Sequence, residues 1–182
     1  MRIREASEED AVAIARIHVD SWRTTYPGIV PDDILAGLSY ERREDAWRAT
    51  LSNPDTQEAV FVAEEVGGQI VGFASGGLER SGDPVYKGEL YAIYLLQEYQ
   101  GQGLGRELIL TVVKRLLQEG FRSMLVWVLR ENPSRGFYEK LGGQYVREQL
   151  IDIGDAQLVE VAYGWPDIRA LADPAAKGMP DG

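Results

Sequence analysis

The sequence predicts one mixed α/β (α+β) domain, a central sheet flanked by helices. Three observations predict it. Apolar residues fall at helical spacing in some segments and in short β-prone runs in others. The inferred order is strand, helices, three strands, helix, strand, helix, two strands, without a repeat or a low-complexity linker. The chain has 182 residues, 45% of them hydrophobic, enough for one core and too few for two ordinary ones. Residues 1–166 are expected to form the domain and 167–182 a flexible tail rich in proline and glycine.

Residues 2–6 read as a short strand. Ser7 fits an N-cap, with Asp10 in the capping-box position. Val12, Ile14, Ala15, Ile17, Val19 and Trp22 mark an amphipathic helix over 8–23, which Tyr26-Pro27-Gly28 breaks. Pro31 can open a second short helix, and 40–51 a third. Residues 59–63 and 69–76 are strands joined by a tight turn at Gly67-Gly68. The polar segment 79–84 is a loop. Residues 90–96 are apolar and β-prone, as a buried central strand is. Leu104, Leu108, Ile109, Val112, Val113 and Leu116 predict a helix that Gly120 closes. A strand over 123–129, a short helix over 134–141, and strands near 144–153 and 157–165 complete the domain.

Composition excludes several functions. There is no cysteine, hence no disulfide, thiolate zinc site or cysteine nucleophile. His18 is the one histidine, which argues against a metal cluster, and no serine has a histidine near it for a hydrolase triad. No apolar run approaches the roughly 18 residues of a membrane span. The N-terminus turns acidic before a signal peptide could begin, so a cytoplasmic protein is expected. The net charge is −10, and no basic patch is segregated to bind nucleic acid. The acidity serves solubility, or steers a cationic partner.

The segment Gln100-Gly101-Gln102-Gly103-Leu104-Gly105-Arg106 follows the central strand and opens a helix. N–H groups in a first helical turn lack internal acceptors, and the dipole there is positive. Glycines let the backbone approach an anion. A P-loop would need Lys-Ser/Thr after Gly105, where Arg106-Glu107 stand. The spacing and late position of the glycines also fail the Rossmann fingerprint.

With Gln100, Gly103 and Gly105 the turn resembles the Gln/Arg-x-x-Gly-x-Gly/Ala pyrophosphate motif of the GNAT acyltransferase superfamily. A second block, Asn132-Pro133-Ser134-Arg135-Gly136-Phe137-Tyr138-Glu139-Lys140-Leu141-Gly142-Gly143, is similar to that family's Asn-Pro-x-x-x-Phe-Tyr-Glu-Lys-Leu-Gly segment. The likeness spans residues 2–165. Gln97 and Gly143 depart from it, where proline and phenylalanine are commoner.

The resemblance implies a mostly antiparallel sheet of about six or seven strands. It implies acetyl-CoA as cosubstrate, no metal, and direct transfer to an amine acceptor. Ile93, Tyr94 and Leu95 would line the pantetheine arm on a splayed strand, main-chain N–H groups of 101–106 would hold the pyrophosphate, and Asn132 would contact the arm. Tyr138 stands at the position of the proton donor to the leaving thiolate; a packed tyrosine is the alternative. Glu89 stands where a histone-acetylating branch has its base. Period-two alternation would put it on one face with Tyr91, Ile93 and Leu95; the alternative is a strand-end carboxylate. Trp22 and Tyr26 lie in the segment that usually walls the acceptor site, as an amine box or as core anchors. A homodimer through the last strands is compatible with this reading. A non-catalytic acyl-CoA sensor is the alternative to an enzyme.

Overall fold

The computed structural model describes residues 1–173. The fold begins with a strand that needs a brace. β1 (Arg2–Glu5) pairs with β2 (Ala59–Glu64), and Arg4 on it reaches Asp10 with two hydrogen bonds of 2.7 and 2.8 Å. The same carboxylate accepts the Ser7 N–H at 2.8 Å, the capping box the sequence suggests. This bend delivers the chain into α1 (Ala11–Thr25), which starts three residues after the expected residue 8 because residues 8–10 form a 3-10 turn. α2 (Asp32–Ala36) and α3 (Tyr40–Ser52) follow, the latter capped by Ser39, whose side chain accepts the Arg42 N–H.

Seven strands make one sheet in the order β1-β2-β3-β4-β5-β7-β6, with β3 (Ile70–Leu78), β4 (Gly88–Leu95), β5 (Met124–Leu129), β6 (Gln144–Ile153) and β7 (Ala156–Trp165). Every pairing is antiparallel except β4 with β5. That parallel pair is short. It holds only Gly88–Met124, Glu89–Leu125 and Leu90–Val126, after which the two strands part.

Helices cover both faces. Ile14 and Ile17 of α1 and Trp47 of α3 pack on Val60, Val62 and Phe73. On the opposite face α4 (Leu104–Gln118) lays Leu108, Ile109, Val112 and Val113 on the sheet, all fully buried. Each such side chain contributes on the order of 2 kcal/mol. α5 (Arg135–Lys140) packs Tyr138 and Phe137 into this same layer. A third cluster joins Tyr26, Val30 and Leu35 to Leu129, with Ile151 and Ile153 of β6.

Two expectations are refined. Packing continues past residue 166, where Ile168 is fully buried and Arg169–Ala172 form α6; the rest of the expected tail, residues 174–182, lies outside the described residues. Gly143, where the resemblance would have phenylalanine, faces Trp165; a Cβ there would come within 2.8 Å of the indole and 2.9 Å of the Tyr138 carbonyl. Trp165 fills that space and donates its Nε1–H to the Leu141 carbonyl at 3.0 Å.

Candidate active site

The parting of β4 from β5 opens the sheet, and two clefts meet in the gap. The first is lined by Ile93, Leu95, Gln100, Gly101, Gly103, Gly105, Arg106, Ser134, Phe137 and Tyr138, about 370 Å³ in volume. It brings the glycine turn and the Asn132–Gly143 block to one place. Gly101 and Gly103 hold φ of 74° and 85°, a left-handed backbone that side chains disfavour. Gly103 is the N-cap of α4. Among the described residues the N–H groups of 101–103 have no acceptor, and those of 104–106 are the unpaired first turn of α4. The result is a cluster of unpaired N–H donors beside Arg106, an arrangement whose chemistry suits an anion.

Leu96 donates its N–H to Val71 on the β3 side at 2.9 Å. By strand alternation, Leu95 and Ile93 therefore turn their N–H groups toward the gap. The Leu95 carbonyl accepts from Gln100 Nε2 at 3.1 Å, which ties the turn to the strand end.

The second cleft, about 210 Å³, shares Ile93, Leu95, Gln100, Ser134 and Tyr138 with the first and continues onto the other face of the sheet. Trp22 of α1, Tyr26 just after it, Tyr91 and Tyr94 from β4, and Trp127 from β5 wall it, together with Ile151 and Ile153 of β6 and Glu160 of β7. Trp22 and Tyr26 meet edge to face at 4.9 Å between centroids. Trp22 Nε1 donates to the Tyr94 hydroxyl at 2.9 Å, and Asn132 Nδ2 to the Tyr26 hydroxyl at 3.1 Å.

Tyr138 stands where the clefts join. Its ring is 7% exposed and packs on Phe137 and Tyr163, yet its hydroxyl makes no hydrogen bond to a described residue. Burial, with Tyr94 nearby, pushes the phenol well above its ordinary value. It therefore stays protonated through the neutral range. Burial likewise raises the phenol of Tyr26.

Some expected site residues go elsewhere. Glu89 does not share a face with Ile93 and Leu95. The β3–β4 register shifts so that Gly76 faces Leu90 while Ser75 faces Ala92, leaving Tyr91 as an extra residue. This bulge reverses the alternation: Leu90, Ile93 and Leu95 pack under α4, and Ala92 and Tyr94 under α1. Glu89 is 3% exposed and lines neither cleft. Its oxygens accept from Arg80 Nη2 at 2.6 Å, Arg80 Nε at 3.2 Å and the Arg80 main chain at 3.1 Å. The geometry thus gives it an ion pair in place of the expected base role. Tyr94 belongs to the second cleft and not the first. Asn132 lines the second cleft, Gln102 turns its amide to the Glu98 carbonyl, and Leu104 enters the core.

His18 turns inward from α1. It stacks on Tyr94 at 4.9 Å among Trp22, Trp47 and Phe73, and its Nδ1 is buried without a partner. Burial, aided by Arg43, lowers its pKa to about 3.

Sequence reasoning missed Trp127 and Glu160 as cleft residues. Trp127 alternates with the buried Val126 and Val128, which is a signal that it faces away from them. Glu160 interrupts the apolar run of β7, and a charge inside such a run is itself a signal.

The sheet is thus gapped, with the glycine turn at the mouth of the gap and a second cleft behind it. The Acetyltransferase (GNAT) family model matches residues 11–143. The chain is 48% identical over 169 residues to a Bacillus subtilis (strain 168) protein described as the uncharacterised N-acetyltransferase YuaI, covering 93% of this chain and 95% of that one. The fold is similar to ribosomal-protein-alanine N-acetyltransferase from Brucella melitensis, with TM-score 0.70 and 23% identity over 91% of this chain and 99% of that one. It is also similar to the PaiA N-acetyltransferase of Thermoplasma acidophilum, solved with coenzyme A, with TM-score 0.65 and 22% identity over 88% and 96% of the two chains. The chain belongs to the GNAT acetyltransferase family.

Proposed function

We propose that this protein transfers the acetyl group of acetyl-CoA directly to a primary amine, both bound at once, with Tyr138 as the acid. The observation that carries this is the junction: a phenol without a hydrogen-bond partner stands where the donor cleft meets the acceptor cleft. The N–H groups of 101–106 and Arg106 hold the pyrophosphate, and the gap-facing N–H groups of Ile93 and Leu95 pair with the pantetheine arm. The solved complex of the Thermoplasma relative with coenzyme A supports the choice of donor.

The amine nitrogen attacks the thioester carbonyl carbon, and a further main-chain N–H on the gap edge of β4 faces the developing oxyanion. The carbon–sulfur bond breaks, sulfur takes the Tyr138 proton, and the proton lost by the amine leaves through cleft water, from which the phenol recovers its own. The reading extends to a cytoplasmic protein, in keeping with its lack of cysteine, and to a dimer through the edge strand β6, which exposes Tyr145 and Leu150.

Titration calorimetry with acetyl-CoA and CoA tests the donor site; absence of binding overturns the proposal. Tyr138→Phe is expected to lower turnover about 100-fold while leaving CoA affinity within about twofold. Unchanged turnover in an assay limited by the chemical step would remove Tyr138 from the role of acid.

A further inference from the structure

Of the residues lining the second cleft, Glu160 alone is of an acidic or basic type. It sits on β7 opposite Leu129 of β5 and Gln149 of β6, with Ile151 alongside. Gln149 Nε2 donates to Oε1 at 2.6 Å. Among the described residues Oε2 has no hydrogen-bond donor and Glu160 has no ion-pair partner, although the arginines near this face are all engaged. Arg147 pairs with Asp83 and covers Trp127 at 5.1 Å, and Arg80 pairs with Glu89 and covers Tyr91 at 4.0 Å. The half-buried carboxylate thus keeps one oxygen free to face a cation that enters the cleft.

We infer that Glu160 binds an ammonium group of the acceptor, and that the acceptor is a linear aliphatic amine carrying a second, cationic nitrogen. This rests on the acetyltransferase reading and narrows its substrate class. The two nitrogens must be different ones. A carboxylate partner holds a nitrogen in its charged form, without the lone pair that attack requires. Tyr138 enters the gap from the α4 face, whereas Glu160 lies on the other face and across β5, so a chain can span from one to the other. Ile151 and Ile153 offer an apolar wall to its methylene groups, and Trp22 and Tyr26 leave aromatic surface unclaimed by any protein cation. The cleft volume of about 210 Å³ is below the roughly 300–1,000 Å³ of sites for drug-sized ligands, which favours a slim acceptor. The net charge of −10 draws a polycation toward the molecule.

The test compares terminal propanediamine, butanediamine and pentanediamine with propylamine, butylamine and pentylamine as acceptors. CoA release is measured for the wild type, Glu160→Gln and Glu160→Asp, with CoA affinity of each from calorimetry to certify the fold. The wild type is expected to prefer at least one diamine over its monoamine in kcat/KM by about tenfold or more. That ratio is expected to collapse toward one in Glu160→Gln, through KM, and to return in part in Glu160→Asp. No diamine preference in the wild type overturns the inference, as does a preference that survives in Glu160→Gln. If acetyl-CoA binds but neither series is acetylated, the cationic acceptor is wrong and the acetyltransferase reading stands. If acetyl-CoA does not bind, that reading itself fails.

Discussion

His18 shows how far one side chain can depart from what its neighbours in sequence suggest. An imidazole four residues before Trp22 on an amphipathic helix looks like a surface group, yet it closes an aromatic cluster with a buried, unpartnered Nδ1. Its lowered pKa has a definite sign for stability. The unfolded chain takes up a proton below about pH 6.5, while the folded chain does not until about pH 3. Stability from this group is complete above 6.5 and lost as pH falls. Moving from pH 7 to pH 5 is expected to cost about 2 kcal/mol through His18 alone, several degrees in melting temperature. His18→Phe is expected to reduce that acid sensitivity in melting curves at the two pH values. Equal sensitivity in wild type and variant would show that His18 does not stay neutral.

At the scale of an element, the start of α4 carries the proposed donor site. Gly103 has a left-handed backbone, and a Cβ built on it meets nothing within 4 Å. Substitution by alanine therefore tests conformation without a clash. Gly103→Ala is expected to destabilise the fold by roughly 1–2 kcal/mol and to weaken CoA binding, because the N–H groups of the turn lose their convergence. Urea denaturation and calorimetry read the two effects separately; stability and affinity both at wild-type values would deny the turn its role. β4 makes the complementary point. One extra residue at Tyr91 exchanges which side chains face α4, and so separates Glu89 from Ile93 and Leu95.

For the whole molecule, the site is a joint between layers. Tyr26 at the end of α1, Tyr94 on β4 and Tyr138 on α5 converge on one cleft, and burial raises all three phenols. Above their ordinary value of 10.0 the unfolded chain releases these protons before the folded chain does. Folding then loses stability as pH rises through that range. Melting temperature is expected to drop between pH 9 and pH 11, and Tyr26→Phe to make the drop shallower. A drop of the same steepness in Tyr26→Phe would contradict the burial of that hydroxyl in solution.

The turn and the block that form the proposed donor half of the site were legible in the amino-acid order. Gln100–Arg106 is a contiguous turn whose binding groups are its own backbone N–H groups, and the strand before it and the helix after it follow from local apolar spacing. Tyr138 came with a contiguous block in the same way. The proposed acceptor half was not legible, because its residues are scattered over α1, β4, β5, β6 and β7. Which residues face the cleft depends on the β3–β4 bulge, on the antiparallel register that sets Leu129, Glu160 and Gln149 in one row, and on the point where β4 leaves β5. Local propensity specifies which segments become strands. Pairing partners and register are chosen by packing among residues far apart in the chain, so only the tertiary structure decided that Glu89 meets an arginine and that Glu160 meets the cleft.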